Sequence, residues 1–147
     1  MSAELHERHV LRDGTEIVLR HIRPSDAPSM RAAWDRLSPM SRYRRFFRAI
    51  GRLDDHAIEY LCGADGIDHV AIVAGIESKA EDGTLHEDGI GVARFVRLAD
   101  DPKVAEMAIT VVDDQHGKGL GTILLRAAAQ AALDRGIERF RGEVLSE

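Results

Sequence analysis

The sequence lacks the features of secreted, membrane-spanning and disulfide-bonded proteins. It contains a single cysteine, Cys62, which excludes an intrachain disulfide and a cysteine-based metal cluster. No apolar run approaches the ~20 residues that a membrane-spanning helix needs. The N-terminus does not show the basic and then apolar order of a signal peptide. We therefore predict a cytoplasmic protein with no membrane partner.

A basic excess is also absent. The formal net charge is −5, whereas proteins that bind nucleic acid through its phosphates usually carry surplus lysine and arginine. We therefore expect no nucleic-acid partner. Hydrophobic residues make up 44% and charged residues 31% of the 147 residues. This balance and length predict one folded domain over residues 1–147.

Hydrophobic periodicity predicts a mixed α/β domain with a central sheet. Asp13-Gly14 between two β-rich runs predicts a hairpin over 9–22. Helical spacing then predicts three helices, over about 25–37, 41–50 and 54–62. Strands are expected at 69–78, 89–98, 104–112 and 139–145, with a further helix between the last two.

Two of these helices carry side chains that allow more than one interpretation. Trp34 lies on the apolar face of the first helix, which favours core packing over a ligand pocket. The segment SRYRRFFRAI places its aromatic residues at helical spacing, with arginines between them. An amphipathic helix with exposed arginines is favoured over a patch for RNA or cofactor phosphates.

A glycine-rich loop separates the strand at 104–112 from the alanine-rich helix that follows. It reads His-Gly-Lys-Gly-Leu-Gly-Thr from His116 to Thr122. A P-loop needs Ser or Thr after Gly-Lys, and a Rossmann turn needs glycine where Thr122 stands, so both spacings fail. Glycines between a strand and a helix still let backbone N–H groups approach a diphosphate. A glycine-rich turn without a ligand is the less favoured alternative.

This arrangement resembles the acetyl-CoA-binding motif of the GCN5-related N-acetyltransferases, Gln/Arg-x-x-Gly-x-Gly/Ala. Gly119 and Gly121 match its two small positions, and His116 stands at the Gln/Arg position. The segments DGTEIVLRHIRPSD, SRYRRFF and AEMAITVVDD resemble more narrowly the acetyltransferase domain of bacterial protein-lysine acetyltransferases that act on acyl-CoA synthetases. The resemblance implies the GNAT fold, a mixed, mostly antiparallel central sheet flanked by helices.

The resemblance also implies acetyl-CoA as the acyl donor, without a metal. The diphosphate is expected on the backbone N–H groups of the loop, and the pantetheine arm along the backbone of the preceding strand. The residues expected to bind acetyl-CoA are Ile109, Thr110, Val111, Gly117, Lys118, Gly119, Leu120, Gly121 and Thr122.

Glu106 is the expected catalytic residue. Acyl transfer to an amine needs a base for the amine's proton, and the resemblance implies a glutamate base at this position. A carboxylate in an otherwise apolar strand also costs free energy unless it has a partner or a function. The alternative is a carboxylate at the rim that forms a salt bridge. The oxyanion is expected to bind a backbone N–H near Ile109.

The chain ends at Ser146-Glu147, shortly after the last predicted strand. GNAT proteins typically continue with another helix and one or two strands, and a tyrosine in that helix often protonates the leaving thiolate. The resemblance therefore implies a C-terminally truncated domain, a partner that supplies the missing layer, or an open sheet edge. An open edge favours a homodimer.

The resulting hypothesis is an acetyl-CoA-dependent N-acetyltransferase that transfers the acetyl group directly to a protein lysine or a small-molecule amine. The alternative is a catalytically weak acyl-CoA-binding or interaction module.

Overall fold

The computed structural model describes residues 5–35, 55–112, 115 and 117–142. Within these ranges, six strands form one sheet in chain order: β1 (His6–Val10), β2 (Glu16–His21), β3 (His69–Lys79), β4 (Leu85–Arg97), β5 (Val104–Val111) and β6 (Arg139–Arg141). The predicted helix at 41–50 with its arginines, the side chain of Trp34, the loop residue His116 and the chain beyond Gly142 lie outside the described residues.

The sheet is mostly antiparallel. Each neighbouring pair from β1 to β5 runs antiparallel, and β5 pairs with β6 in parallel. The parallel pair follows from the helix that joins these two strands, because a parallel connection needs a crossover. At the β1–β2 turn, Gly14 has a φ of +91°, and the Thr15 N–H donates to Asp13 Oδ1 at 3.0 Å. The predicted hairpin and the mixed, mostly antiparallel sheet are confirmed.

Three helices are described: α1 (Ala27–Asp35), α2 (Asp55–Cys62) and α3 (Leu120–Asp134). A 3-10 turn over Pro24–Asp26 precedes α1, as expected where a proline ends a strand. None of the helices in the described part of the chain is long and apolar enough to cross a membrane.

The β3–β4 hairpin is longer than the sequence predicts. The strands were expected to end at 78 and to begin again at 89, but half of the polar segment 79–88 extends them. The turn itself is closed by the Ala80 N–H, which donates to the Thr84 carbonyl at 2.8 Å. Residues 81–86 are exposed. Strands are predicted from alternating apolar and polar residues, and a pair of strands with no buried face lacks this alternation. The sequence therefore does not show the full length of the hairpin.

The two faces of the sheet carry different layers. On one face, α3 packs so closely that a Cβ on Gly91 would lie 3.1 Å from Leu124 Cδ1, and Phe95 of β4 is fully buried there. On the other face, Arg94 donates to the Leu61 carbonyl of α2 at 2.8 Å. We call these the α3 face and the α2 face.

Register assigns the side chains of β5 to these two faces, because directly paired residues point to the same side of a sheet. Met107 pairs with Phe95 and so lies on the α3 face, whereas Ala108 pairs with Arg94 and lies on the α2 face. By alternation, Glu106 and Thr110 share the α2 face with Ala108.

Candidate functional site

The turn between β5 and α3 presents backbone N–H groups without a cap. Gly117 and Gly119 have φ values of +79° and +88°, a left-handed conformation that favours glycine. Gly119 is the N-cap residue, and no side chain caps the helix there. The Ile123 N–H donates to the Gly119 carbonyl at 3.3 Å and makes the first helical hydrogen bond. The N–H groups of residues 120–122 therefore have no partner within the helix.

The β1–β2 turn supports this loop. The Arg12 N–H donates to the Lys118 carbonyl at 3.1 Å, and the Arg12 side chain lies so near Gly119 that a Cβ there would be 3.3 Å from Nε. Lys118 Nζ lies 3.1 Å from Asp13 Oδ2 and donates to Gln115 Oε1 at 3.1 Å. Lys118 thus uses its ammonium group to hold the loop and offers a ligand its backbone N–H.

Asp13 is ionised over a wide pH range. Hydrogen bonds from the side chain and backbone of Thr15, and then from Lys118, lower the pKa of Asp13 to about 2. The Asp13–Lys118 contact is therefore a charged one at neutral pH. Sequence analysis predicted the hairpin at Asp13 but missed its contact with the loop, because nothing in either segment alone signals the other.

Among the described residues, the pairing of β5 with β6 ends at Glu106, and we call the side of β5 that faces away from β4 beyond this point the open edge. The parallel pairing with β6 joins Val104 to Arg139, Ala105 to Phe140 and Glu106 to Arg141, and no described residue of β6 continues it. The Val112 N–H donates to the Ile90 carbonyl of β4 at 3.0 Å. Since backbone groups alternate along a strand, the N–H and C=O of Ile109 point away from β4 towards the open edge.

The same alternation distinguishes Thr110 from Ile109. Thr110 pairs with Val92, and its backbone groups point towards β4. The backbone of Ile109 faces the open edge instead. The expected contact of Thr110 with acetyl-CoA remains a prediction.

Glu106 lies at the position where the strands separate. Its Oε1 accepts a hydrogen bond from Arg141 Nη2 at 2.6 Å, and the two side chains are 60% and 62% exposed. This hydrogen bond and the carboxylate charge raise the pKa of Arg141. The burial argument for a special role of Glu106 therefore fails, and the salt bridge that the sequence left as the alternative is present. The base role remains a prediction that rests on position.

Possible metal ligands were compared only within the described ranges. There, no group of three or more His, Cys, Asp or Glu side chains is placed to hold a metal ion.

A family comparison agrees with this geometry. The model of the acetyltransferase (GNAT) family matches residues 20–146. The chain belongs to the GNAT acetyltransferase family. It is therefore an N-acetyltransferase by family, as the glycine loop and the preceding strand predicted, and the predicted fold is confirmed as well.

Other GNAT proteins match most of the chain. Acetyltransferase PA5475 of Pseudomonas aeruginosa is 30% identical over 130 residues, which cover 88% of this chain and 67% of that protein. Acetyltransferase Pat of Mycolicibacterium smegmatis is 32% identical over 137 residues, which cover 93% of this chain. The chain spans only 39% of the length of that Pat protein.

Solved structures show the same GNAT architecture. The GNAT domain of S. lividans PAT superposes with a TM-score of 0.80 at 30% identity, covering 92% of this chain and 76% of that chain. A cAMP-binding acyltransferase from Mycobacterium smegmatis superposes with a TM-score of 0.63 at 29% identity, covering 97% of this chain and 39% of the other.

Proposed function

We propose that this chain transfers an acetyl group from acetyl-CoA directly to a primary amine, either a protein lysine or a small-molecule amine. The observation that carries the proposal is the order of two features along the chain. The backbone of Ile109 faces the open edge of β5, and the uncapped turn at Gly117 and Gly119 follows a few residues later. That turn forms the N-terminus of α3.

These two features fit the chemistry of acetyl-CoA. A diphosphate is anionic, and the N-terminus of α3 offers N–H groups, a positive dipole end and no acidic residue in its first turn. The N–H groups of residues 117–122 are the proposed diphosphate contacts. The pantetheine arm contains amides that can pair with a strand, and we place it along the backbone of Ile109 and Val111. Bound there, acetyl-CoA supplies the activated thioester.

The acceptor amine must lose a proton before it can attack. A lysine amine has a pKa of about 10.4 and is mostly protonated at neutral pH. Glu106 is the proposed base, acting directly or through water, because it lies on the α2 face where β5 separates from β6. The Ile109 N–H, which faces the open edge, is the proposed donor to the developing oxyanion.

The test combines binding with turnover. Calorimetry should detect acetyl-CoA binding to the purified chain, and a thiol assay should detect CoA release with at least one member of a panel of lysine peptides and small amines. Mass spectrometry should then find acetylation of that acceptor. Absence of acetyl-CoA binding would overturn the whole proposal.

A second candidate follows from the Glu106–Arg141 ion pair. Arg141 occupies Oε1 of the Glu106 carboxylate, so an incoming amine has to compete with the guanidinium for that oxygen, which favours a catalytically weak acyl-CoA-binding module. That alternative is supported if acetyl-CoA binds but no thiol is released across the panel. The lysine acceptor, the homodimer and the cytoplasmic location remain predictions.

A further inference from the structure

Thr110 carries a buried hydroxyl without a hydrogen-bond partner. Within the part of the chain that the structure describes, Thr110 Oγ1 neither donates to nor accepts from any neighbour. Buried polar side-chain atoms in native proteins nearly always have a partner, so each exception needs a cause. A buried hydroxyl without a partner lowers the stability of the fold. A ligand that forms a hydrogen bond with the hydroxyl would explain why it is present.

The position of Thr110 indicates which ligand that is. Glu106, Ala108 and Thr110 follow one another on the α2 face of β5. Ile109, between Ala108 and Thr110, directs its N–H to the open edge of the strand. Four residues of extended strand place the Cα atoms of Glu106 and Thr110 about 13 Å apart. Ala108, the residue between them on this face, carries only a methyl side chain.

We propose that the Thr110 hydroxyl accepts a hydrogen bond from an N–H of the acceptor amine. This inference rests on the proposed function. An amine held at Thr110 lies beside the open edge where the thioester is proposed to bind. Glu106 lies on the same face of β5, so a water molecule between the amine and the carboxylate would give the amine's proton a route to Glu106.

Access to the hydroxyl is compatible with this role. Thr110 as a residue is partly exposed, although its oxygen is buried. Rotation about χ1 exchanges the hydroxyl and the methyl of threonine between staggered positions. An arriving N–H group can therefore select the rotamer that brings the oxygen towards it.

The test compares two ligands and two variants. The ligands are CoA and a bisubstrate compound in which an acetyl bridge joins the CoA sulfur to the ε-nitrogen of Nα-acetyl-lysine amide. The variants are Thr110→Val, which has nearly the same shape without the hydroxyl, and Thr110→Ser, which keeps the hydroxyl. Calorimetry measures Kd for each combination.

The wild type should bind the bisubstrate compound more tightly than CoA. Thr110→Val should weaken bisubstrate binding about 5- to 10-fold, the value of one hydrogen bond, and leave CoA binding unchanged. Thr110→Ser should keep most of the bisubstrate affinity. Equal affinity of the wild type for both ligands, or an unchanged bisubstrate Kd in Thr110→Val, would overturn the inference.

Thermal unfolding separates this role from a structural one. Thr110→Val removes an unpaired buried hydroxyl and should therefore raise Tm by several degrees, whereas a hydroxyl that stabilises the fold would give a lower Tm on removal. A lower Tm would overturn the inference. Failure of the wild type to bind CoA at all would instead overturn the proposed function.

Discussion

Glu106 on β5 and Arg141 on β6 form an ion pair of 2.6 Å at the last position where these two strands are paired. Both side chains are more than half exposed, and exposed ion pairs of this kind add only about 0–1 kcal/mol to stability. The importance of the pair is its place, since the proposed base lies where the edge of β5 opens. Two substitutions separate the roles of the carboxylate and of the ion pair.

We expect Glu106→Gln to lower kcat for acetyl transfer about 10²- to 10⁴-fold, the usual contribution of a general base. The Kd for acetyl-CoA should stay close to the wild-type value, because Glu106 lies outside the proposed diphosphate contacts. Steady-state thiol release with an acceptor from the amine panel gives kcat, and calorimetry gives Kd.

Arg141→Gln is the matched control for that substitution. It breaks the same ion pair but keeps the carboxylate, so transfer activity should be retained. An unchanged kcat in Glu106→Gln would remove Glu106 from the base role. Equal losses in the two variants would assign the effect to the ion pair instead.

A substitution at Gly119 should affect both the stability of the fold and the binding of acetyl-CoA. Its φ of +88° costs about 1–2 kcal/mol for a residue with a Cβ, and that Cβ would also lie 3.3 Å from Arg12 Nε. We expect Gly119→Ala to lower the free energy of unfolding by about that amount. It should also weaken acetyl-CoA binding about tenfold, which equals about 1.4 kcal/mol, because the N–H groups of the turn move.

Gly136 offers a control at the other end of α3. Its φ is +79°, and an added Cβ would meet no atom within 4 Å. Gly136→Ala should therefore cost similar stability in urea unfolding but leave the Kd for acetyl-CoA unchanged. If both variants weaken binding equally, the effect of Gly119→Ala comes from general destabilisation.

Lys118 tests whether a side chain or the backbone binds the donor. Its ammonium group is held by Asp13 and Gln115, so we expect Lys118→Met to change the calorimetric Kd for acetyl-CoA by less than about tenfold, or 1.4 kcal/mol. A larger loss would show that the ammonium contacts a phosphate. Lys103 is exposed and directly precedes β5, so Lys103→Met is the control for the loss of one positive charge.

The glycine turn was more predictable than the contacts of Glu106. Glycines between a predicted strand and a predicted helix form a local pattern, and Gly117 and Gly119 do lie in such a turn with positive φ values. Arg141 was not predictable, because its contact with Glu106 depends on the register between β5 and β6, and no local pattern reports it. The orphan hydroxyl of Thr110 likewise emerges only when the packing around β5 is known.

Predictions also failed where the sequence departs from the usual pattern of a strand. The long β3–β4 hairpin is polar and exposed around residues 81–86 and carries no apolar alternation. The turn between the two strands contains Gly83, whose φ of +86° suits a glycine. The sequence therefore located the two strands but not their full length.

A partly buried charge cluster joins β2, β4 and the 3-10 turn before α1. Arg20 donates to both carboxylate oxygens of Asp26, at 2.9 and 2.6 Å, and to Glu87 at 2.5 and 3.1 Å. The Arg23 N–H also donates to Asp26 at 2.8 Å. Burial by itself raises the pKa of Asp26, but the hydrogen bonds from Arg20 and Arg23 outweigh it, and the net pKa is lowered.

We expect Asp26→Asn to lower the free energy of unfolding by about 1–3 kcal/mol, because it removes one of the two carboxylates that bind the Arg20 guanidinium and leaves Glu87 as the other. Asp55→Asn is the control: Asp55 pairs with Arg31 but its side chain is 97% exposed, so the loss should stay below about 1 kcal/mol. Urea unfolding at neutral pH measures both.

The same cluster should make the free energy of unfolding fall as the pH is lowered. Because the pKa of Asp26 is lower in the folded protein than its ordinary value of about 3.9, the ionised carboxylate stabilises the fold above that pH. The contribution disappears as the pH falls from about 4 through the lowered pKa. Asp26→Asn should therefore lose stability less steeply than the wild type over this range. Parallel slopes in acid unfolding curves would show that Asp26 does not stabilise the fold through its charge.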